Sequence, residues 1–311
     1  MSRLKRLAGS AIALVALSVV VVTFSRNLQA LPALTFSWVS GLSVVVGVGV
    51  GCVVTVVAAE AWRTLLGGAG VQLSRRRAFA ICGTAQIAKY LPGNVFHLAG
   101  RAALATKEGV PLPVSIASMT LETLIVIATG AAFAAPLVIE HRNLLLPLFT
   151  AKTAWIWTAV VVVVAAVFCF VWLRFRAQAK ETIGAALRIA RVRTVAVVVV
   201  CDVLTFVLLG GSLFLVADAT WPALALSPTQ CIFGFALAWV VGFVTPGAPG
   251  GVGVREAVFL IVLGASSGVA VAASLAIVSR LLSILGDVLT FAIARAVDRS
   301  SPQPGLVATI R

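Results

Sequence analysis

Two stretches of this chain set polar side chains beside helix breakers. The first, "KYLPGNVFHLAGR" (residues 89–101), gathers Lys89, His97 and Arg101 around Pro92 and Gly93. The second, "TPGAPGGVGVRE" (residues 245–256), follows Pro246, Gly247 and Pro249 with Gly250, Gly251, Gly253 and Arg255. Both share one ruler, because Pro92 precedes Arg101 by nine positions and Pro246 precedes Arg255 by nine. A half-helix that restarts after such a break presents free N–H groups and a positive dipole end, which favour an anion. Glycines let backbone approach a ligand closely, arginine offers a fork of donors suited to phosphate, and Asn94 can cap the restarted helix. This is the chemistry of anion or head-group binding. The second stretch is not a nucleotide P-loop, since it lacks G-x-x-x-x-G-K-[ST]. Each feature also has a plainer reading: a tight break packed on a neighbour, a hydrogen-bonded packing histidine at 97, a snorkelling arginine at 101.

Four further charges fall inside apolar runs. Glu122 and Arg280 lie deep in theirs, at related places in the two halves of the chain. Intramembrane charges are costly and are normally paired or turned to a cavity. Glu122 is therefore expected to face Arg280, or both to face a cavity, as a buried bridge or as a gate. Asp202 and Asp287 are expected near the cytoplasmic ends of their spans, answering Arg193 and Arg295, with proton coupling through one of these carboxylates left open. Glu60 with Arg63, and Lys107 with Glu108, read as interfacial pairs. The five cysteines show neither metal spacing nor C-x-x-C and read as small packing residues. No metal site and no cofactor is expected.

The elements that must position these groups are membrane helices. Of 311 residues, 61% are hydrophobic and 11% charged, against about 25% charged in a soluble domain. Apolar runs long enough to cross a bilayer core of roughly 30 Å predict spans at 7–25, 38–60, 112–138, 155–173, 195–217 and 269–296. The fold class is thus all-α polytopic, with six spans and two broken regions at 78–107 and 229–263. Trp38 and Trp62 bracket the second span and Trp155, Trp157 and Trp172 the fourth, as in interfacial aromatic belts. Trp239 sits inside an apolar run and reads as packing or cavity lining. The basic, then apolar, start resembles a signal peptide, but no small-x-small cleavage site follows and an uncleaved first helix is expected.

The net charge of +14 fits basic residues flanking spans better than nucleic-acid binding. With both broken regions re-entrant, the positive-inside rule puts both termini in the cytoplasm. It leaves Arg26, Arg142 and Lys152 outside, with Arg255 and Arg280 in the membrane or the external hairpin. Each half (1–150 and 151–297) then crosses three times, so the second is inverted relative to the first. Inverted repeats with broken helices at equivalent places point to a transport site. Residues 298–311 read as a disordered cytoplasmic tail.

Residues "KYLPGNVFHLAGRAALATKEGVP" and "TPGAPGGVGVRE" resemble the two signature stretches of the lysylphosphatidylglycerol synthase transmembrane region family, also called flippase-like membrane proteins. The resemblance covers roughly residues 5–297. It implies a multi-span bundle with re-entrant helices, and lipid translocation or lipid-linked chemistry at the membrane. In full-length lysylphosphatidylglycerol synthases a soluble aminoacyl-transferase domain follows; this chain ends before one, so lipid aminoacylation is not expected. The leading expectation is translocation of a phospholipid or lipid-linked anionic substrate across the cytoplasmic membrane, without an ATP motif. The alternative is an accessory subunit of a glycosyltransferase or envelope-lipid synthase. A transferase would want a carboxylate cluster, and the acidic residues here are dispersed. Expected partners are membrane lipids with anionic head groups.

Overall fold

Four apolar runs fold as helices long and apolar enough to cross a membrane: α1 (Trp38–Gly68), α4 (Leu112–Glu140), α5 (Val192–Thr220) and α8 (Val269–Arg299). The structure, a computed structural model, describes residues 37–90, 96–140, 181–245 and 249–299. The predicted spans at 7–25 and 155–173, the breakers Pro92, Gly93, Pro246 and Gly247, Asn94, and residues 300–311 of the tail lie outside the described residues; Asp298 and Arg299, assigned to the tail from the sequence, instead end α8. Those described are helical and contain no β-strand.

Between the long helices lie the two broken regions. The first is α2 (Arg75–Gln86), tightening into a 3-10 turn at Ile87–Tyr90, then α3 (Phe96–Lys107). Each α-helical arm has 12 residues, about 18 Å at 1.5 Å per residue, well short of a bilayer core of roughly 30 Å. The second is α6 (Pro228–Val244), a short 3-10 turn at Pro249–Gly251, and a second arm. That arm is α7 (Val254–Val258), a π-helical turn (Phe259–Leu263) and a last turn at Gly264–Ser267.

Local sequence accounts for the helix ends. Ser37 and Ser40 cap α1 reciprocally, each side chain accepting from the other's backbone N–H. α1 runs eight residues beyond its predicted end at 60. Its last turns still have a partner: Ala61, Trp62, Leu65 and Leu66 are buried, in one core with Ile81 of α2 and Val114 and Ala117 of α4. Trp62 is fully enclosed, and its indole donates to Ser118 Oγ at 3.0 Å. It is therefore not the interfacial belt residue its spacing predicted, whereas Trp38, 79% exposed, fits that role.

A second core joins Phe206, Leu213 and Val216 of α5, Phe235 of α6, Phe259 and Leu263 of the second arm, and Leu275 and Leu282 of α8. α8 is the most enclosed long helix. In its most apolar 18-residue window 61% of residues are buried, against 17–28% in the other three. The outer helices turn Val45, Val53, Val192 and Val200 outward. Exposed apolar side chains in such number suit hydrocarbon, not water.

Two contacts fix how the helices meet. α8 crosses α1 at a point with no side chain between them: a Cβ built on Gly51 would stand 3.0 Å from Gly286 Cα. At one end of α2, Arg77 reaches both Asp298 (2.9 Å) and Glu108 (3.6 Å). Glu108 thus pairs with Arg77, not with its neighbour Lys107. Glu60 and Arg63 pair as expected, at 2.6 Å.

Candidate functional site

Lys89, His97 and Arg101 do converge. The 3-10 turn ending α2 carries Lys89 and Tyr90 towards α8. There Lys89 Nζ lies 2.7 Å from Asp287 Oδ2, and the Tyr90 hydroxyl donates to the same carboxylate. On α3, His97 and Arg101 are four positions apart and share a helix face. Arg101 is 8% exposed. Its Nη2 donates to Glu122 Oε2 of α4 at 2.6 Å, and its guanidinium stacks over the Trp62 ring at 4.2 Å. It is a buried, partnered cation and does not snorkel to an interface.

The second break is built on glycines in conformations other residues avoid. Gly250, Gly251 and Gly253 have φ of +57°, +71° and +81°, open to glycine at little cost. Gly251 also makes room for Arg255, since a Cβ there would lie 2.7 Å from Arg255 Nε; Gly242 of α6 does the same, 2.8 Å from Arg255 Cγ. Arg280 holds the turn from behind. It donates to the carbonyls of Gly250 (3.1 Å) and Gly251 (3.2 Å) and pairs with Glu256 at 2.6 Å. The breaks touch each other: a Cβ on Gly250 would sit 3.4 Å from the Tyr90 ring.

Three expectations are corrected by these contacts. Glu122 does not face Arg280, nor do both line the cavity. Each broken region brings its own partner to the helix that follows it, Arg101 to Glu122 and Glu256 to Arg280, and only Glu122 reaches the cavity wall. Asp287 answers Lys89 in place of Arg295, which lies two helical turns further on, about 12 Å along α8. Asp202 does not pair with Arg193, roughly 13 Å along α5. Its Oδ2 is enclosed and has no hydrogen-bond partner among the described residues.

Both breaks open on one cavity of about 240 Å³. Lys89, His97, Arg101, Glu122, Asp202, Arg255 and Asp287 line it, with the backbone of Gly250. Phe206, Phe235, Trp239 and Phe243 line it as well. Trp239 meets Phe206 edge-on (5.7 Å between centroids) and stacks on Phe243 (5.0 Å), so its reading as cavity lining holds. The chamber is amphipathic, lined by both charged side chains and aromatic rings. Lys89 and Arg101 are already paired there. Arg255 forms no salt bridge among the described residues, and its enclosed Nε has no hydrogen-bond partner among them. It is the cation available to an incoming anion.

Tyr90, Glu256, Gly242 and Trp62 went unmarked by sequence reasoning as site residues. A signal existed for two of them. Tyr90 is the chain's single tyrosine and adjoins Lys89, and Glu256 adjoins Arg255 in the glycine stretch. Gly242 and Trp62 carry none, because their roles depend on which helix packs beside them. Among the described residues no cluster of His, Cys, Asp and Glu could hold a metal ion.

No curated protein and no solved structure matches the chain. Its sequence matches the family described as "Lysylphosphatidylglycerol synthase TM region" over residues 6–290. That span takes in α1, α4, α5 and most of α8, both breaks and all the cavity charges, and it ties this multi-pass membrane protein to lipid handling. The chain belongs to the lysylphosphatidylglycerol synthase transmembrane region family.

Proposed function

We propose that the protein moves a phospholipid or lipid-linked anionic substrate across the cytoplasmic membrane, and does no chemistry on it. The observation that carries this reading is Arg255: a guanidinium without a carboxylate partner among the described residues, lining a cavity that aromatic rings also line. A buried charge needs a counter-charge, and a phosphate group meets that need with the fork geometry arginine favours. A space of about 240 Å³ suits a head group, while the acyl chains stay in lipid. The proposed framework is an inverted repeat in which both broken regions enter and leave on one side. Supporting it are the short arms of the first region, the recurrence of the proline-to-arginine spacing 154 positions on, and the distribution of basic residues. Such repeats place substrate sites at their interface.

The test is reconstitution of the purified protein into phosphatidylcholine vesicles doped with head-group-labelled phosphatidylglycerol. Loss of label from the outer leaflet is expected to be at least roughly tenfold faster with wild type than with Arg255→Ala, the loss of a charge-assisted contact of about 1.5–3 kcal/mol. Arg255→Lys is expected to fall between. Equal rates for wild type and Arg255→Ala would remove Arg255 from the mechanism. Rates no faster than protein-free vesicles would favour an accessory role beside another enzyme.

A further inference from the structure

The cavity holds three cations and three carboxylates. Lys89 is matched to Asp287 and Arg101 to Glu122. That leaves Arg255 and Asp202, each with an enclosed side-chain atom that has no hydrogen-bond partner among the described residues. With all six groups ionised and His97 neutral, the chamber carries no net charge. The proposed function adds an anion beside Arg255. One negative charge is then in excess inside a space walled by apolar rings, where uncompensated charge is strongly disfavoured.

A proton can restore the balance, and the pairings decide where it goes. On Glu122 it would strip Arg101 of its partner; on Asp287 it would weaken the bonds from Lys89 and Tyr90. Protonating Asp202 breaks no ion pair among the described residues. Its surroundings point the same way. Glu122 of α4 is the charged group that acts on it, and Asp287 of α8 lines the same chamber. The α1 wall contributes Thr55 as its polar side chain and the α6 wall only aromatic rings. The cations reach the cavity from the broken regions, as Lys89, Arg101 and Arg255. His97, the other candidate, has Lys89 and Arg101 as its charged neighbours, and a positive charge there would be opposed by both.

We infer that Asp202 binds one proton when an anionic head group enters beside Arg255, so that proton and lipid cross together. This rests on the head-group reading above. In the step, a hydronium ion on the loading side breaks an O–H bond to give its proton to a carboxylate oxygen of Asp202, leaving water and a neutral carboxylic acid. The acid's O–H bond breaks on the far side when the lipid leaves, and water there accepts the proton as hydronium. Nothing is oxidised or reduced.

The inference is tested on the purified full-length protein in detergent by calorimetric titration with dihexanoyl phosphatidylglycerol. Repeating the titration in buffers of different ionisation heat counts protons taken up. Wild type is expected to take up about one proton per bound lipid, its affinity falling roughly tenfold per pH unit as pH rises. Asp202→Asn is expected to take up none and to bind independently of pH. Wild-type binding without proton uptake overturns the inference and leaves the head-group site standing, as does an affinity set by sodium in place of pH. Uptake that persists in Asp202→Asn but disappears in His97→Gln moves the proton to the imidazole and also overturns it. No binding by wild type, or equal binding by Arg255→Ala, overturns the function and the inference together. Should Asp202→Asn fail to fold, His97→Gln decides: proton uptake lost in it overturns the inference, and uptake of about one proton retained in it supports Asp202.

Discussion

The two broken regions solve one electrostatic problem with opposite polarity. In the first, the arm after the break supplies the cation, Arg101, and the following helix the anion, Glu122, at 2.6 Å. In the second, the arm supplies Glu256 and the following helix Arg280, also at 2.6 Å. The second arrangement has two consequences. Arg280 has donors left over to hold the carbonyls of Gly250 and Gly251, so this pair fastens a backbone turn while the first faces the cavity. And Arg255, which stands where Arg101 stands by the proline ruler, is released from pairing. Reversing a salt bridge across equivalent positions thus turns one arginine from structure to availability.

Removing one partner of the second pair should have the largest effect. Arg280→Met leaves Glu256 buried without a cation and two carbonyls without donors. It is expected to destabilise the protein by about 3–5 kcal/mol, read as lost thermal stability in detergent. Adding Glu256→Met should recover most of that loss, because a buried pair exchanged for apolar side chains is often neutral. A double variant as unstable as the single would show that the bonds to Gly250 and Gly251, more than the pairing with Glu256, are what Arg280 supplies.

An intermediate effect is expected from Gly251→Ala. The positive φ and the 2.7 Å approach to Arg255 Nε add up to about 1–3 kcal/mol. The displaced guanidinium should slow lipid transport more than stability alone explains. Unchanged transport would show that Arg255 does not act from this position. Tyr90→Phe is the mildest, about 1 kcal/mol for one hydrogen bond to a carboxylate that Lys89 still holds. No change in thermal stability would mean that Tyr90 acts through its ring against Gly250.

What the sequence revealed follows from the range of the physics involved. Apolar length and breaker residues act locally, so α1, α4, α5 and α8 and both breaks could be placed before any contact was known. The glycines at 250, 251 and 253 announced a turn, and the turn has the positive φ values they permit. Pairing acts across space, and here reading by depth failed. Glu122 and Arg280 were matched because each sits deep in its own helix, yet each is claimed by the arm just before it. Trp62 was assigned to a lipid interface from its place near a predicted helix end, but the helix continues and buries it. No one-dimensional feature tells Asp202, left without a partner among the described residues, from Asp287, which has two.

The bare crossing of Gly51 on Gly286 has a mechanical consequence. Two backbones in direct contact set the closest approach of α1 and α8, with no side chain between them to compress. Leu282 against Gly47 on one side and Thr290 bonded to Cys52 Sγ at 3.3 Å on the other hold the angle at which they cross. Asp287 is one residue from the crossing, and Arg280 is about 9 Å along the axis. One helix thus carries both the anchor for Lys89 and the clasp on the turn at Gly250 and Gly251, and its length sets how far apart the two breaks are held.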